Sequence, residues 1–95
     1  MKSEDLKKII DEIIKEQGQV SPELLRVFEK LTDLTISFRD RWKAEHCEIL
    51  TVEETRNALT VYMTALRIER MPDNLSEKTA GLVKLWLKEI NGITY

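Results

Sequence analysis

Apolar residues recur along this chain at the spacing of amphipathic α-helices, in four stretches. In the first, over about residues 3–17, leucine and isoleucines fall at i, i+3, i+4, i+7 and i+8, and almost every other position is charged. Ser3 is placed to cap the start of this helix, and Gly18 is placed to end it. Asp11 and Lys15 have the i, i+4 spacing that favours a solvated helix face. The pattern predicts a surface helix with one buried stripe.

The second stretch is the longest. Ser21 is a candidate N-cap with Pro22 at the first helical position, which is a strong start signal. Apolar residues then keep one helical phase over about residues 22–48, and Ile49 continues that buried stripe. The segment "TDLTIS", residues 32–37, contains β-branched residues that lower helix propensity and could break the helix. We favour one continuous helix because the phase is unbroken.

Two shorter helices follow. Thr51 and Glu54 have the spacing of a capping box, which opens a helix over about residues 52–71 that the proline of "MPDN" stops. The last helix covers about residues 76–91, and Gly92 ends it. Four helices joined by short loops predict a small all-α fold, an antiparallel four-helix bundle in which the 95 residues form a single helical domain.

The third helix has more apolar surface than one buried stripe requires. A second apolar face carries Ala58, Val61, Ala65 and Ile68 at i, i+3, i+7 and i+10. Two alanines would allow another helix to approach closely. A helix that is apolar on two faces is either the most enclosed helix of a monomer or is shared between chains. We favour the second reading, in which this face is a homo-oligomer seam or a docking face for a partner helix.

Composition and charge argue against several classes of function. Hydrophobic residues make up 42% and charged residues 34%, as in ordinary folded domains. The net charge of −2 is spread evenly and no basic block occurs, so nucleic-acid binding is not expected. No stretch approaches the ~20 apolar residues that cross a bilayer, and no secretion signal is apparent, so no membrane partner is expected. A single cysteine forms no intrachain disulfide and favours a cytoplasmic location.

The most conspicuous candidate chemistry is "EHCE", where His46 and Cys47 are adjacent. Neighbouring residues of a helix point about 100° apart, so the two side chains do not converge on one metal ion or form a Cys–His dyad. The chain has no second histidine or cysteine. We interpret His46 as a residue at the core boundary and Cys47 as an ordinary thiol. Phosphate-binding and zinc-protease motifs are absent as well. No catalytic residue, metal site or cofactor is predicted, and the chain is not expected to be an enzyme.

The expected function is therefore binding. A small helical chain without catalytic motifs fits a non-enzymatic protein that docks onto a protein partner, as inhibitors, antitoxins, immunity proteins and phage-encoded modulators do, and that self-associates as a dimer or larger. The expected interaction face comprises Ala58, Val61, Ala65 and Ile68 with Arg67 at its rim. Further rim or pocket residues are Arg39, Arg41, Trp42, His46 and Tyr62.

Two alternatives remain open. In the first, a helical oligomer binds a small ligand or nucleotide, or catalyses a reaction, in a pocket between chains near Trp42, His46 and Tyr62. In the second, the last two helices form a DNA-binding regulator. Its groove-facing cations would be Lys78, Lys84 and Lys88.

Overall fold

The computed structural model describes residues 7–9, 11, 12, 15 and 22–95, with the side chains of residues 22–25 and 28 excepted. This part of the chain contains four helices and no strand, so the all-α prediction is confirmed. The helices are α1, whose described residues are 7–9, 11, 12 and 15, α2 (Pro22–His46), α3 (Val52–Ile68) and α4 (Glu77–Asn91). The chain divides into two compact units, Met1–Val52 and Glu53–Tyr95, and each is described by itself.

Helix α1 carries the predicted surface ion pair. The Nζ atom of Lys15 lies 2.9 Å from Oδ2 of Asp11, and both side chains are exposed. Exposed i, i+4 pairs of this kind contribute only about 0.3–0.5 kcal/mol. The predicted caps Ser3, Gly18 and Ser21 lie outside the described residues.

Helix α2 is continuous through the "TDLTIS" segment. The hydroxyl of Thr35 donates a hydrogen bond of 2.7 Å to the carbonyl oxygen of Leu31, one turn earlier. Thr32 and Thr35 are both fully buried. A threonine in a helix can satisfy its hydroxyl on the preceding turn, so it can be buried without water. This local hydrogen bond explains why the β-branched residues do not interrupt the helix.

Helix α2 ends two residues earlier than predicted. Cys47 has a φ of +56° and its N–H donates to the carbonyl oxygen of Lys43 at 2.9 Å, which is the left-handed termination of a helix. The helical phase is lost there, so Ile49 is 63% exposed whereas Leu50 is 2% exposed. The prediction that Ile49 extends the buried stripe is wrong. The basic residues Lys43 and His46 in the last turn are a sequence signal for the true end of the helix.

Helix α3 begins at Val52, as predicted, but it ends at Ile68 rather than near residue 71. Glu69 takes a left-handed φ of +57° directly after the helix. Proline has no N–H to donate and restricts the residue before it, so the helix cannot continue through Pro72. The left-handed conformation of Glu69 ends it three residues before Met71. The prediction placed the end of the helix directly before the proline, whereas the helix ends one turn earlier.

Helix α4 has the predicted caps. The side-chain oxygen of Ser76 accepts a hydrogen bond of 3.1 Å from the N–H of Thr79. At the other end Gly92 has a φ of +66°, its N–H donates to the carbonyl oxygen of Lys88, and the N–H of Ile93 donates to the carbonyl oxygen of Leu87. Nothing lies within 4 Å of the position that a Cβ would occupy at Gly92. The backbone conformation, rather than a close approach, therefore explains a glycine at this position.

The contacts between α3 and α4 advance in the same direction along both helices. Glu54 and Lys78, each in the first turn of its helix, form an ion pair. Tyr62, eight residues along α3 from Glu54, contacts Trp86 and Asn91, which lie eight and thirteen residues beyond Lys78. An antiparallel pair would bring the first turn of one helix to the last turn of the other. The antiparallel prediction is not confirmed for these two helices.

The segment between α3 and α4 is long enough for this arrangement. Residues 69–76 span at most about 26 Å when extended, and the 17 residues of α3 are about 25 Å long. The chain can thus return along α3 before α4 begins. The sequence analysis expected a short loop between these two helices and so did not predict this return.

Candidate functional site

The predicted interaction face of α3 lies in the interior. Ala58 and Ala65 are 0% exposed and Val61 is 9% exposed in the single chain. Only the end of the face reaches solvent, where Ile68 is 37% exposed and Arg67 is exposed. The expectation of an exposed seam is therefore corrected for Ala58, Val61 and Ala65. A helix enclosed within its own chain and a helix shared between chains have the same apolar pattern, and the sequence does not distinguish them.

Tyr62, a predicted pocket residue, belongs to the core of the second unit. Its ring meets that of Trp86 edge to face with the centroids 5.6 Å apart, and its hydroxyl donates to Oδ1 of Asn91 at 2.6 Å. Burial raises the pKa of Tyr62. A buried phenol that already has a partner does not line an open pocket. The structure thus removes Tyr62 from the candidate site residues.

Lys78 forms an ion pair within the second unit. Its Nζ atom lies 2.9 Å from Oε2 and 3.1 Å from Oε1 of Glu54, and its side chain is buried. A lysine in this position does not reach a DNA groove. Lys84 and Lys88 remain exposed, but two lysines alone are a weak electrostatic footprint for nucleic acid. Sequence reasoning missed the Glu54–Lys78 pair because its members are 24 residues apart.

The remaining predicted residues lie at the end of α2. We call residues 38–50 the α2 shoulder; it comprises the last turns of α2 and the segment that follows. Arg39, Trp42 and His46, which the sequence analysis named as rim or pocket residues, belong to it. Arg41 also belongs to the α2 shoulder, but it is two residues from Arg39 and from Lys43 and therefore lies about 200° around the helix axis from each of them. Arg41 is exposed and does not join the other cations.

An aromatic column runs along one side of the α2 shoulder. Phe38, Trp42 and His46 follow at i, i+4 and i+8, with ring centroids 5.5 Å and 3.8 Å apart and interplanar angles of 21° and 14°. Phe38 is buried, Trp42 is half-buried and His46 is exposed, so the column leads from the interior to solvent. The indole N–H of Trp42 donates to Oε2 of Glu48 at 3.3 Å. This hydrogen bond ties the segment after the helix to the column.

A basic column lies beside the aromatic one. Arg39 and Lys43 are four residues apart and therefore share a helix face. Together with Asp40, Ile49 and Leu50 they line a cavity of about 160 Å³. The Nε and Nη2 atoms of Arg39 each lie 3.1 Å from Oδ1 of Asp40, whose side chain is largely exposed.

Ile49 is the apolar feature of this surface. The large hydrophobic side chains that are exposed in the described part of the chain are those of Val52, Ile68, Tyr95 and Ile49, of which Ile49 is the most exposed at 63%. Burying an isoleucine side chain is worth about 1.5–3 kcal/mol. A partner that covered Ile49 would gain much of that free energy. Sequence reasoning missed Ile49 because it placed the residue on the buried stripe.

The described residues contain no group of three or more His, Cys, Asp and Glu side chains that could hold a metal ion. The thiol of Cys47 is free and exposed. No helix in the part of the chain that the structure describes is long and apolar enough to cross a membrane. The arrangement at the α2 shoulder therefore offers contact surface and charge rather than a metal centre.

Comparison with known proteins adds no relative. The chain matches no protein-family model, no curated protein and no solved structure.

Proposed function

We propose that this chain is a non-enzymatic binding protein that docks onto a protein partner through the α2 shoulder. The observation that carries the proposal is the exposure of Ile49, at 63%, on a segment whose neighbours are fixed. Leu50 is buried, and the N–H of Cys47 is bonded to α2. Because the segment is already ordered, a partner would cover Ile49 at a small cost in conformational entropy.

The composition of the surface supports the same function. Tryptophan and arginine are enriched among the residues that dominate protein interfaces, whereas glutamate and lysine are depleted. The α2 shoulder presents the half-buried ring of Trp42, the stacked ring of His46 and the guanidinium group of Arg39, which pairs with Asp40. Preorganised side chains of this kind lose little rotamer freedom on binding.

The proposed action is modulation of the partner by docking, in the manner of an inhibitor, antitoxin or immunity protein. A cytoplasmic location is part of the proposal, since an exposed free thiol persists in a reducing compartment. The burial of Ala58 and Ala65 removes the sequence-based reason for a homo-oligomer seam on α3. Self-association through the exposed Ile68 is therefore not part of the proposed mechanism, and the crosslinking experiment below tests it.

Photo-crosslinking in cells tests the proposal. Val52, three residues from Ile49, and Ile68, at the other end of α3, are both 37% exposed and form a matched pair of sites for a benzoylphenylalanine probe. We expect the probe at Val52 to give a discrete crosslink to another protein that the Ile49→Asp substitution abolishes. The probe at Ile68 should give no such crosslink. Equal crosslinking from both sites, or a product with the mass of two copies of the chain, would contradict docking through the α2 shoulder.

A further inference from the structure

Helix α4 ends in an asparagine that is followed directly by a glycine, Asn91–Gly92. The amide carbon of an asparagine side chain can be attacked by the backbone nitrogen of the next residue, and a glycine has no side chain to hinder that attack. The other asparagines of the chain, Asn57 and Asn74, precede an alanine and a leucine. Asn91 and Gly92 are both exposed, and nothing lies within 4 Å of the position that a Cβ would occupy at Gly92. The dipeptide is therefore sterically open to this reaction.

Two hydrogen bonds hold the dipeptide in the folded state. The hydroxyl of Tyr62 donates to Oδ1 of Asn91 at 2.6 Å and so holds the side-chain amide against α3. The N–H of Gly92 donates to the carbonyl oxygen of Lys88 at 3.0 Å. This nitrogen must lose its proton before it can attack, so both contacts have to be released first. Helix ends open at a lower free energy than the core of a fold does, so these contacts are released transiently in the native protein.

We propose that Asn91 is a site of spontaneous deamidation and that its hydrogen bond with Tyr62 restrains the reaction. The deprotonated backbone nitrogen of Gly92 forms a bond to Cγ of Asn91, the bond from Cγ to Nδ2 breaks, and Nδ2 takes up a proton and leaves as ammonia. Water then opens the cyclic imide at either of its carbonyl groups, which gives aspartate or isoaspartate. Water is the co-reactant and no electrons are transferred. The inference is independent of the proposed docking function.

The position of Tyr62 favours restraint over assistance. A hydroxyl that donates to an amide oxygen can also activate the amide carbon, but only if the attacking nitrogen is within reach at the same time. Tyr62 is fixed on α3 by its edge-to-face contact with Trp86. The side chain of a helical residue leans toward the start of its helix, whereas the N–H of Gly92 is directed at Lys88 within α4. The bonded amide and the attacking nitrogen are thus kept apart, and removal of the hydroxyl should accelerate the reaction.

The two products have different effects on the end of α4. Aspartate keeps a side-chain acceptor for the hydroxyl of Tyr62 and adds a negative charge. Isoaspartate carries the backbone through the former side chain, which inserts a methylene group directly before Gly92. That insertion displaces the left-handed cap of the helix and removes the acceptor from Tyr62. The isoaspartate form therefore loses the contacts that fix the end of α4.

Timed incubation of the full-length chain tests the inference. The protein is kept at mildly alkaline pH in water enriched in heavy oxygen, then digested in ordinary water and mapped by mass spectrometry. We expect heavy oxygen to enter the peptide that contains Asn91 before it enters those with Asn57 or Asn74, as a mixture of aspartate and isoaspartate. Tyr62→Phe should raise the rate at Asn91 about fivefold, which corresponds to the loss of about 1 kcal/mol of hydrogen bonding.

Lys78→Met is the matched control. It removes an ion pair of the same unit, about 20 Å along α4 from Asn91, and leaves the hydrogen bond with Tyr62 in place. The rate at Asn91 in this variant should stay within about twofold of the wild-type rate if the reaction requires only local opening. Label that appears first at Asn57 or Asn74 would overturn the inference. So would an unchanged or slower reaction in Tyr62→Phe, or an equal acceleration in Lys78→Met.

Discussion

Ile49 and Leu50 are adjacent in the chain, yet the first is 63% exposed and the second is 2% exposed. The left-handed conformation of Cys47 ends α2 just before them and changes the direction of the chain. Leu50 then anchors the segment in the interior, and Ile49 is presented to solvent. This division of roles between neighbouring residues is the physical basis of the proposed docking surface.

Replacing Cys47 by glycine should stabilise the protein. The left-handed conformation destabilises a residue that has a Cβ atom by roughly 1–2 kcal/mol. Glycine has no Cβ atom and avoids this cost, although it loses more conformational entropy on folding. We expect a net gain in the free energy of unfolding of about 0.5–1 kcal/mol, measured by urea denaturation. The Cys47→Ala variant keeps the penalty and is the control. Equal stability of the two variants would show that the left-handed φ carries no cost at this helix end.

The ion pair between Glu54 and Lys78 should contribute to the stability of the second unit. The Lys78→Met substitution leaves a carboxylate that is partly hydrated, since the Glu54 side chain is 33% exposed. We therefore expect a loss of about 1–3 kcal/mol, below the cost for a fully buried pair. Lys84→Met, at an exposed lysine of the same helix, should change the stability by no more than about 0.5 kcal/mol. Similar losses from both substitutions would contradict a structural role for the pair.

The stability of the protein should fall at alkaline pH in a way that depends on Tyr62. Burial raises the pKa of Tyr62 above the ordinary value near 10. The folded state therefore binds the phenol proton more tightly than the unfolded state does. This contribution is fully present below about pH 10 and is lost as the pH rises through the folded pKa.

The Tyr62→Phe variant has no such proton. Urea denaturation at about pH 8 should show the wild type to be more stable by roughly 1 kcal/mol, because it also keeps the hydrogen bond to Asn91. At about pH 11 that advantage should shrink or change sign. An advantage of the same size at both values of pH would contradict the burial of an ionisable phenol.

The stacked rings of Trp42 and His46 should contribute measurably to the order of the α2 shoulder. Aromatic pairs of this kind are worth about 0.5–1.5 kcal/mol beyond the area that they bury. The His46→Ala substitution should lower the free energy of unfolding by about that amount and should make Trp42 more accessible to quenching by acrylamide. Glu45→Ala, at an exposed neighbour, is the control. Unchanged quenching in His46→Ala would contradict the stack.

The helices and several of their ends could be predicted from the sequence because their signals are local. Ser76, Gly92 and Pro22 mark helix ends through hydrogen bonds and backbone angles that involve only nearby residues. The ends of α2 and α3 were misplaced because Cys47 and Glu69 adopt a conformation that residue type does not favour. The basic residues Lys43 and His46 were a local sign of the end of α2, but no residue type marks the left-handed conformation of Cys47 or Glu69.

The candidate site could be predicted only in part, since exposure is a property of the folded chain. The sequence drew attention to Arg39, Trp42 and His46, which do lie together at the α2 shoulder. It also selected Ala58 and Ala65, which are buried. Periodicity indicates which face of a helix is apolar, but it does not indicate whether the chain itself covers that face.

Partner binding by the Ile49→Asp and Ile68→Asp variants tests the central claim most directly. Ile49 is 63% exposed, so Ile49→Asp should keep the wild-type free energy of unfolding to within about 0.5 kcal/mol. Ile68 is 37% exposed and ends α3, so Ile68→Asp should lower the free energy of unfolding by about 1–2 kcal/mol and leave the chain folded. Binding to the crosslinked partner, measured by calorimetry, should be lost in Ile49→Asp and retained in Ile68→Asp. Retained binding in Ile49→Asp together with lost binding in Ile68→Asp would contradict the account and assign the docking surface to the end of α3.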